Sequence, residues 1–448
     1  MNIGDSPLLT DLYQLNMMQA YLANGLSGTA AFELFVRRLP PGRSFMMAAG
    51  LEQVVAWLEG FRFAPDELAY LERTGRFDAK MLDYLADLRF TGDVDAMPEG
   101  TVFFPNEPIL RVVAPLPLAQ LLESRLINLM QFQSLIATKA ARVMLAAPGK
   151  VLVDFGFRRA HGAEAGLMAA RASYVAGFAG TATVLAEMLW GIPIYGTMAH
   201  SYVQAHEDEI AAFESFARAR PDNLTLLIDT YDPVAAAKKV VALAPKLARD
   251  GITIQSVRID SGDLVALSRG VRQVLDEGGC RDVKVFVSGG LDEESIAAIV
   301  KAGAPIAGYG VGTALTTSQD QPVLDIVYKL QEYDGVGRRK RSADKQTFPG
   351  RKQVWRRHAA DGTLAGDVIS LVGDRQEGET LLAPVMRDGV GVRHDPSLAE
   401  IRARAAAGLA ALPAALRDVS TPGAYPVAIG EALTALTAEV DRRIAAHG

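Results

Sequence analysis

Polar and apolar positions change rhythm twice along the chain. Over the first 146 residues, helical and strand-like periods are mixed. Ser6-Pro7 opens a helical pattern that runs to about Leu22, proline being suited to a first helical turn. Residues 29–37 alternate as a half-buried strand does, and Pro40-Pro41-Gly42 then marks a turn. Helical periods follow near 51–60, 65–73 and 78–88. Strand-like runs at Val102–Phe104 and Ile109–Val113 flank a turn at Asn106-Glu107-Pro108. A long apolar helix is predicted over 117–146, stopped by Pro148-Gly149.

From Lys150 six β-rich runs appear: Val151–Asp154, Ile192–Tyr195, Leu224–Asp229, Ile254–Asp260, Val283–Ser288 and Ile306–Tyr309. Helical stretches at 162–175, 177–189, 207–218, 233–247, 263–277 and 292–302 separate them. Strands alternating with amphipathic helices predict a parallel sheet. Six repeats within about 180 residues favour an irregular (β/α) TIM-like barrel over a Rossmann sheet. From about 330 the pattern loosens, with a basic segment at 338–357 and helices near 397–411 and 429–446. The expected organisation is α/β: an N-terminal α+β part over 1–146, a barrel over 147–335 and a C-terminal part over 336–448. The two end segments are expected to build one additional α+β domain.

Composition narrows the class. Of 448 residues, 49% are hydrophobic and 22% charged, an ordinary globular balance that argues against disorder. The lone Cys280 excludes an internal disulfide and a cysteine-ligated zinc cluster. The start, with no positive n-region before an apolar core, gives no signal peptide, and no run of about 18 apolar residues predicts a membrane span. A cytoplasmic location is expected. A net charge of −6 gives no global reason to expect nucleic acid.

Each β-rich run ends in polar or glycine residues. They are Asp154-Phe155-Gly156-Phe157-Arg158-Arg159, Gly196-Thr197-Met198-Ala199-His200-Ser201, Asp229-Thr230-Tyr231-Asp232, Arg258-Ile259-Asp260-Ser261-Gly262-Asp263, Ser288-Gly289-Gly290 and Gly310-Val311-Gly312-Thr313. In a parallel barrel the carboxyl ends of the strands form the rim that carries the site. Six such ends would converge on one mouth, which points to an enzyme. The two glycine loops suit phosphate, because glycine lets the backbone approach an anion closely; tight turns that need glycine are an equal alternative. Neither is a P-loop.

Alternation sends Arg258 and Asp260 to one face of their strand, and buried charges need partners or ligands. Ser261 or Asp263 can instead cap the next helix. His200 lies at the rim, although a lone histidine is more often structural. No second histidine stands at metal-ligand spacing, so no metal site with direct protein ligands is expected. No glycine-flanked serine elbow supports a catalytic triad. The basic segment 338–357, with Phe348 and Trp355, fits local polyphosphate binding or a solvated loop better than a nucleic-acid surface.

Together these segments resemble nicotinate phosphoribosyltransferases, type II phosphoribosyltransferases of NAD biosynthesis. The resemblance runs from Thr10-Asp11-Leu12-Tyr13-Gln14 to about Arg356, and Pro349-Gly350-Arg351-Lys352-Gln353-Val354-Trp355 continues its order. It implies joining nicotinate to phosphoribosyl pyrophosphate, with ATP hydrolysis coupled through a phosphohistidine at His200 and Mg²⁺ accompanying the pyrophosphate. Arg158 and Arg159 would meet the pyrophosphate, Arg258 the nicotinate carboxylate and Asp260 the ribose or its developing charge. The resemblance sets Asp229 with these catalytic residues and Thr181, Ser261 and Asp263 with the substrate-binding ones. Ser288, Gly289, Gly290, Gly310, Gly312 and Thr313 would receive the 5′-phosphate. Phe155 matches a stacking aromatic. Tyr13 matches one that reaches across from a partner subunit, implying a homodimer with a shared active site.

Nicotinamide-using relatives place an aspartate after a Gly-Thr pair, whereas Gly180-Thr181 is followed here by Ala182, which favours the acid. Asp154 and His161 stand where Glu and Gln are common in the family. The alternatives are a nicotinamide or quinolinate phosphoribosyltransferase, or a non-catalytic barrel that binds a phosphoribosyl ligand.

Overall fold

A computed structural model describes residues 3–392 and 396–447. The chain forms two compact units, one from residues 1–138 with 323–448 and one from 139–322. These borders differ from the pattern's. The second unit begins inside the helix Glu123–Ala146. Residues 326–333, placed by the pattern in the barrel, form an antiparallel strand beside Thr29–Val36 in the first unit.

The first unit is built on a seven-stranded antiparallel sheet. Its central strands are Ile326–Tyr333, Thr29–Val36, Pro108–Pro115, Asp93–Ala96 and Ala383–Arg387, in that order. Thr29–Val36 is buried on both faces beyond its first residue and is paired by a strand along each edge. The expected half-buried strand is therefore a core strand, and its Glu33 is held by Lys352 Nζ at 2.7 Å. Ser6-Pro7 forms a turn rather than a helix start: the Ser6 hydroxyl bonds Glu67 and accepts from Leu8 N, and the helix is Leu12–Ala23.

Five cations of the basic segment are tied up in ion pairs within this unit. Lys352 pairs with Glu33, Arg356 with Asp367 at 2.6 Å, Arg351 with Glu332 at 2.8 Å, and Arg339 and Arg341 with Asp441. Trp355 Nε1 donates to Ser370 Oγ at 2.9 Å, and Phe348 packs against the core. Five cations and both aromatics thus serve the fold rather than a polyphosphate or nucleic acid.

The second unit carries six parallel strands: β1 (Val151–Asp154), β2 (Gly180–Thr181), β3 (Leu224–Leu227), β4 (Ile254–Ile259), β5 (Lys284–Ser288) and β6 (Gly308–Val311). Their order is β2-β1-β6-β5-β4-β3, so the last strand pairs with the first as in a closed barrel. Beyond β2 only Ile194 makes a bridge, to Thr181, and among the described residues no ladder joins that edge to β3. The result is an irregular (β/α) barrel. The expected strand Ile192–Tyr195 shrinks to that bridge. The expected helix 177–189 is interrupted by β2, because Gly177 adopts φ 123° and ends the helix Ala163–Val175.

Helices Glu209–Ala219, Pro233–Arg249, Leu264–Glu277 and Glu293–Lys301 are each capped by an aspartate, respectively Asp208, Asp232, Asp263 and Asp292. Such caps accept from otherwise orphaned first-turn N–H groups. β6 lies two residues later than its pattern suggested, which puts Gly308 and Gly310 inside the strand. A Cβ on Gly308 would lie 2.7 Å from the Phe286 ring, and one on Gly310 2.4 Å from the Phe155 ring. Both glycines make room for aromatics inside the barrel. Among the described residues no helix is long and apolar enough to cross a membrane.

Candidate active site

Two polar networks tie the carboxyl ends of the barrel strands together. The first spans β3, β4 and β5. Asp229 Oδ2 accepts from Asp260 N at 2.7 Å and from Ser261 Oγ at 3.1 Å, and the Ser288 hydroxyl donates to Asp260 Oδ1. Gly289 then passes so close that a Cβ there would lie 1.9 Å from the Asp260 carbonyl oxygen, and its φ is 94°. Only glycine allows both the conformation and the approach.

The second network spans β1 and β2. Asp154 Oδ1 accepts from Gly156 N at 2.8 Å, and its Oδ2 accepts from Thr181 Oγ1 at 2.7 Å. Thr181 Oγ1 accepts in turn from Thr183 N at 3.1 Å. Burial pushes the Asp154 carboxyl above its ordinary value, while the two donors pull it back. Thr181 is fully buried and its hydroxyl engaged here, organising the rim.

Arg258 lies between the networks. Its Nη2 donates to the Met198 carbonyl at 3.1 Å, and its Cζ stands 5.9 Å from the centre of the Phe155 ring. Its Nε is buried with no hydrogen-bond partner among the described residues. Burial lowers the guanidinium from its ordinary value; Asp260 and Asp229 oppose that shift and Arg158 adds to it. Four charged groups therefore share one field. Phe155 is half-buried, packed on Gly310 and 6.2 Å from the Phe286 ring. A planar anion that meets an aromatic face and a partly desolvated guanidinium suits this geometry.

His200 opens the short helix His200–Gln204. Its Nδ1 is 3.2 Å from Thr230 Oγ1, and its Nε2 is 3.9 Å from Asp229 Oδ1, an oxygen without a hydrogen-bond partner among the described residues. The imidazole side chain is 39% exposed against 3% for Asp229. It is thus open to an incoming group and oriented from behind.

Phe155, His200, Asp229, Arg258, Asp260, Ser261, Ser288 and Gly289 are linked by these contacts. Arg158 and Arg159 sit on the exposed turn Phe157–Arg159 that follows Phe155. Gly290 has φ 62° and open space where a Cβ would point, and Gly312 precedes the exposed Thr313. Gly310 is corrected from loop to strand, with the Phe155 ring as the reason. Asp263 caps its helix, its Oδ1 accepting from Val265 N and Ala266 N. Tyr13 belongs to the other unit, where its hydroxyl donates to Glu123 Oε2 at 3.1 Å. Burial and then Glu123 push its pKa up to about 12.

Sequence reasoning passed over Asp154, Thr230, Phe286 and the Met198 carbonyl as site residues. A carboxylate closing a buried strand was the available signal for Asp154. The other three become visible only through contacts. Among the described residues no group of three or more His, Cys, Asp or Glu side chains is placed to hold a metal ion.

Three models of one family match the chain: the nicotinate phosphoribosyltransferase N-terminal domain over 8–131, the nicotinate phosphoribosyltransferase family over 151–346 and the C-terminal domain over 372–437. A nicotinate phosphoribosyltransferase of Mycobacterium tuberculosis is 50% identical over 426 residues, covering 95% of this chain and 91% of its own. One from Bacillus subtilis is 36% identical over 455 residues, with 95% and 93% covered. The crystal structure of human nicotinic acid phosphoribosyltransferase matches with a TM-score of 0.85 at 30% identity, covering 96% of this chain and 99% of its own. That of nicotinate-nucleotide pyrophosphorylase from Pyrococcus furiosus matches with a TM-score of 0.74 at 27% identity, with 90% and 95% covered.

Proposed function

The chain belongs to the nicotinate phosphoribosyltransferase family, and on that premise we propose that it joins nicotinate to phosphoribosyl pyrophosphate in pyridine nucleotide biosynthesis. The nicotinate ring nitrogen attacks the ribosyl C1′. The bond from C1′ to the pyrophosphate oxygen breaks, and its electron pair leaves with pyrophosphate. The nitrogen already has a lone pair, so no general base is required. The barrier lies in the ribosyl cation and the departing charge, which call for positioning and fixed electrostatics.

Arg258 carries this reading. A guanidinium whose Nε is buried without a hydrogen-bond partner among the described residues, held against an aromatic face, suits the carboxylate of a flat pyridine acid. Phe155 takes the ring, and Asp260, fixed by Ser288, faces the ribose and its developing charge. Arg158 and Arg159 meet the pyrophosphate, with Mg²⁺ as that substrate's counter-ion. Ser288-Gly289-Gly290 and Gly312-Thr313 receive the 5′-phosphate.

ATP coupling runs through His200. A ring nitrogen attacks the γ-phosphorus of ATP, the bond to ADP breaks and a phosphohistidine forms. Thr230 orients the imidazole through its Nδ1, and Nε2, 3.9 Å from Asp229 Oδ1 and so outside hydrogen-bond distance, presents the lone pair. Water later takes the phosphoryl group. Tyr13, 47% exposed, reaches the site of a partner subunit in a homodimer.

Steady-state assays with nicotinate, nicotinamide and quinolinate, each with and without ATP, test the proposal. Turnover of nicotinate alone, stimulated by ATP, is expected; no turnover of nicotinate refutes the substrate assignment. His200→Ala is expected to keep slow transfer and to lose the stimulation. Normal stimulation of that variant overturns the phosphohistidine.

A further inference from the structure

We propose that Lys139 is a positioning residue for the 5′-phosphate cradle, holding two loops in register through one buried ammonium. The inference rests on the reading of Ser288-Gly289-Gly290 and Gly312-Thr313 as that cradle. Ser288 and Gly310 lie side by side in β5 and β6. Past these strand ends the sheet no longer fixes the chain, yet both segments have to aim at one anion. Each runs on to an acidic residue: Glu293 opens the helix Glu293–Lys301, and Asp320 follows the short helix Thr313–Thr316.

Lys139 Nζ meets both carboxylates, Glu293 Oε2 at 2.5 Å and Asp320 Oδ1 at 2.7 Å. Arg142 Nε takes the other Glu293 oxygen at 2.9 Å. The side chains of Lys139, Arg142 and Glu293 are 3%, 5% and 2% exposed, and that of Asp320 is 43% exposed. Charges this buried hold a single arrangement, because separating them leaves an uncompensated ion out of water. Packing does not do the same work. A cavity of about 280 Å³ lies among Lys139, Asp292, Ala314, Gln319 and Asp320, so the two segments have room to shift. Asp292 is turned to its own helix, capping Ser295 N at 2.8 Å. The ammonium is shared by two carboxylates, so Lys139 acts through the loops and is not itself a phosphate ligand.

The test compares steady-state KM values for phosphoribosyl pyrophosphate and for nicotinate in the full-length enzyme. The variants are Lys139→Met, Lys139→Arg, Asp320→Asn and, as a perturbation of the cradle itself, Gly290→Ala. Lys139→Met is expected to raise KM for phosphoribosyl pyrophosphate about tenfold while moving that for nicotinate less than about twofold. Lys139→Arg should restore most of the loss, and Asp320→Asn, which weakens the exposed link, should raise the same KM about threefold. If Lys139→Met does not fold, Asp320→Asn decides. Should Gly290→Ala raise that KM while the Lys139 and Asp320 variants leave it unchanged, or raise both KM values equally, Lys139 has no positioning role. If Gly290→Ala also leaves it unchanged, the cradle reading fails as well.

Discussion

At the residue scale, the site depends on a few polar atoms whose partners are fixed and a few that are left open. Asp154, Thr181 and Ser288 are engaged within the rim, whereas Arg258 Nε and Asp229 Oδ1 are buried with no hydrogen-bond partner among the described residues. Buried donors and acceptors are nearly always satisfied, so such atoms mark where an incoming group belongs. Arg258→Ala is therefore expected to lower kcat/KM for nicotinate by about 100-fold, the scale of one charge-assisted contact. Steady-state kinetics with nicotinate varied at saturating phosphoribosyl pyrophosphate checks this. A loss seen only when phosphoribosyl pyrophosphate is varied would move Arg258 to the other substrate. The sequence marked Arg258 and Asp260 through alternation on one strand. It left Asp263 open between ligand and cap, because both uses need the same carboxylate at the same place; its contacts to Val265 N and Ala266 N show the cap.

At the scale of elements, hydrophobic period and turn residues predicted most helices to within a residue or two, and Pro65–Arg73 as bounded. Two kinds of element escaped. Gly180–Thr181 is too short for any period to register, yet it carries the partner of Asp154. The pattern places Ile326–Tyr333 with the barrel, and its pairing beside Thr29–Val36 is a long-range contact that local pattern cannot specify. The same sheet holds a charge device with a measurable pH signature. Asp95 accepts from Arg111 on the strand Pro108–Pro115 at 2.7 Å and from Arg387 on the strand Ala383–Arg387 at 2.5 Å. Burial alone would raise its carboxyl, but the two arginines outweigh it and hold it below the ordinary value of 3.8. A folded-state value below the unfolded one stabilises above the unfolded value, and that stability is lost as pH falls through the folded value. Asp95→Asn is expected to lower stability at pH 7 by about 2 kcal/mol, with the gap to wild type closing below about pH 4. Denaturant unfolding across that range measures it, and a gap that stays constant with pH would show that the ion pairs contribute nothing.

At the scale of the whole molecule, the mild negative charge and the anionic substrates fit together without a basic surface. Lys352 and Arg356 of the basic segment are buried in ion pairs, whereas Arg158 and Arg159 stand exposed on the turn that follows Phe155. Tyr13 is the one proposed site residue outside the barrel unit. On the proposed function, the working enzyme is a homodimer whose sites each borrow a tyrosine. A two-fold dimer makes this testable by mixing, because each defect then damages a different site. Co-expression of Tyr13→Ala and Arg258→Ala chains with different tags gives hybrids in about half of the dimers. In each hybrid one site keeps both its own Arg258 and the partner chain's intact tyrosine, and the other site loses both. Recovered nicotinate turnover is then expected at about a quarter of wild type, one working site in half of the dimers. Purification through both tags should raise the figure to about one half. Activity no greater than the sum of the two parents would place Tyr13 in service of its own chain, where its bond to Glu123 already gives it a structural use.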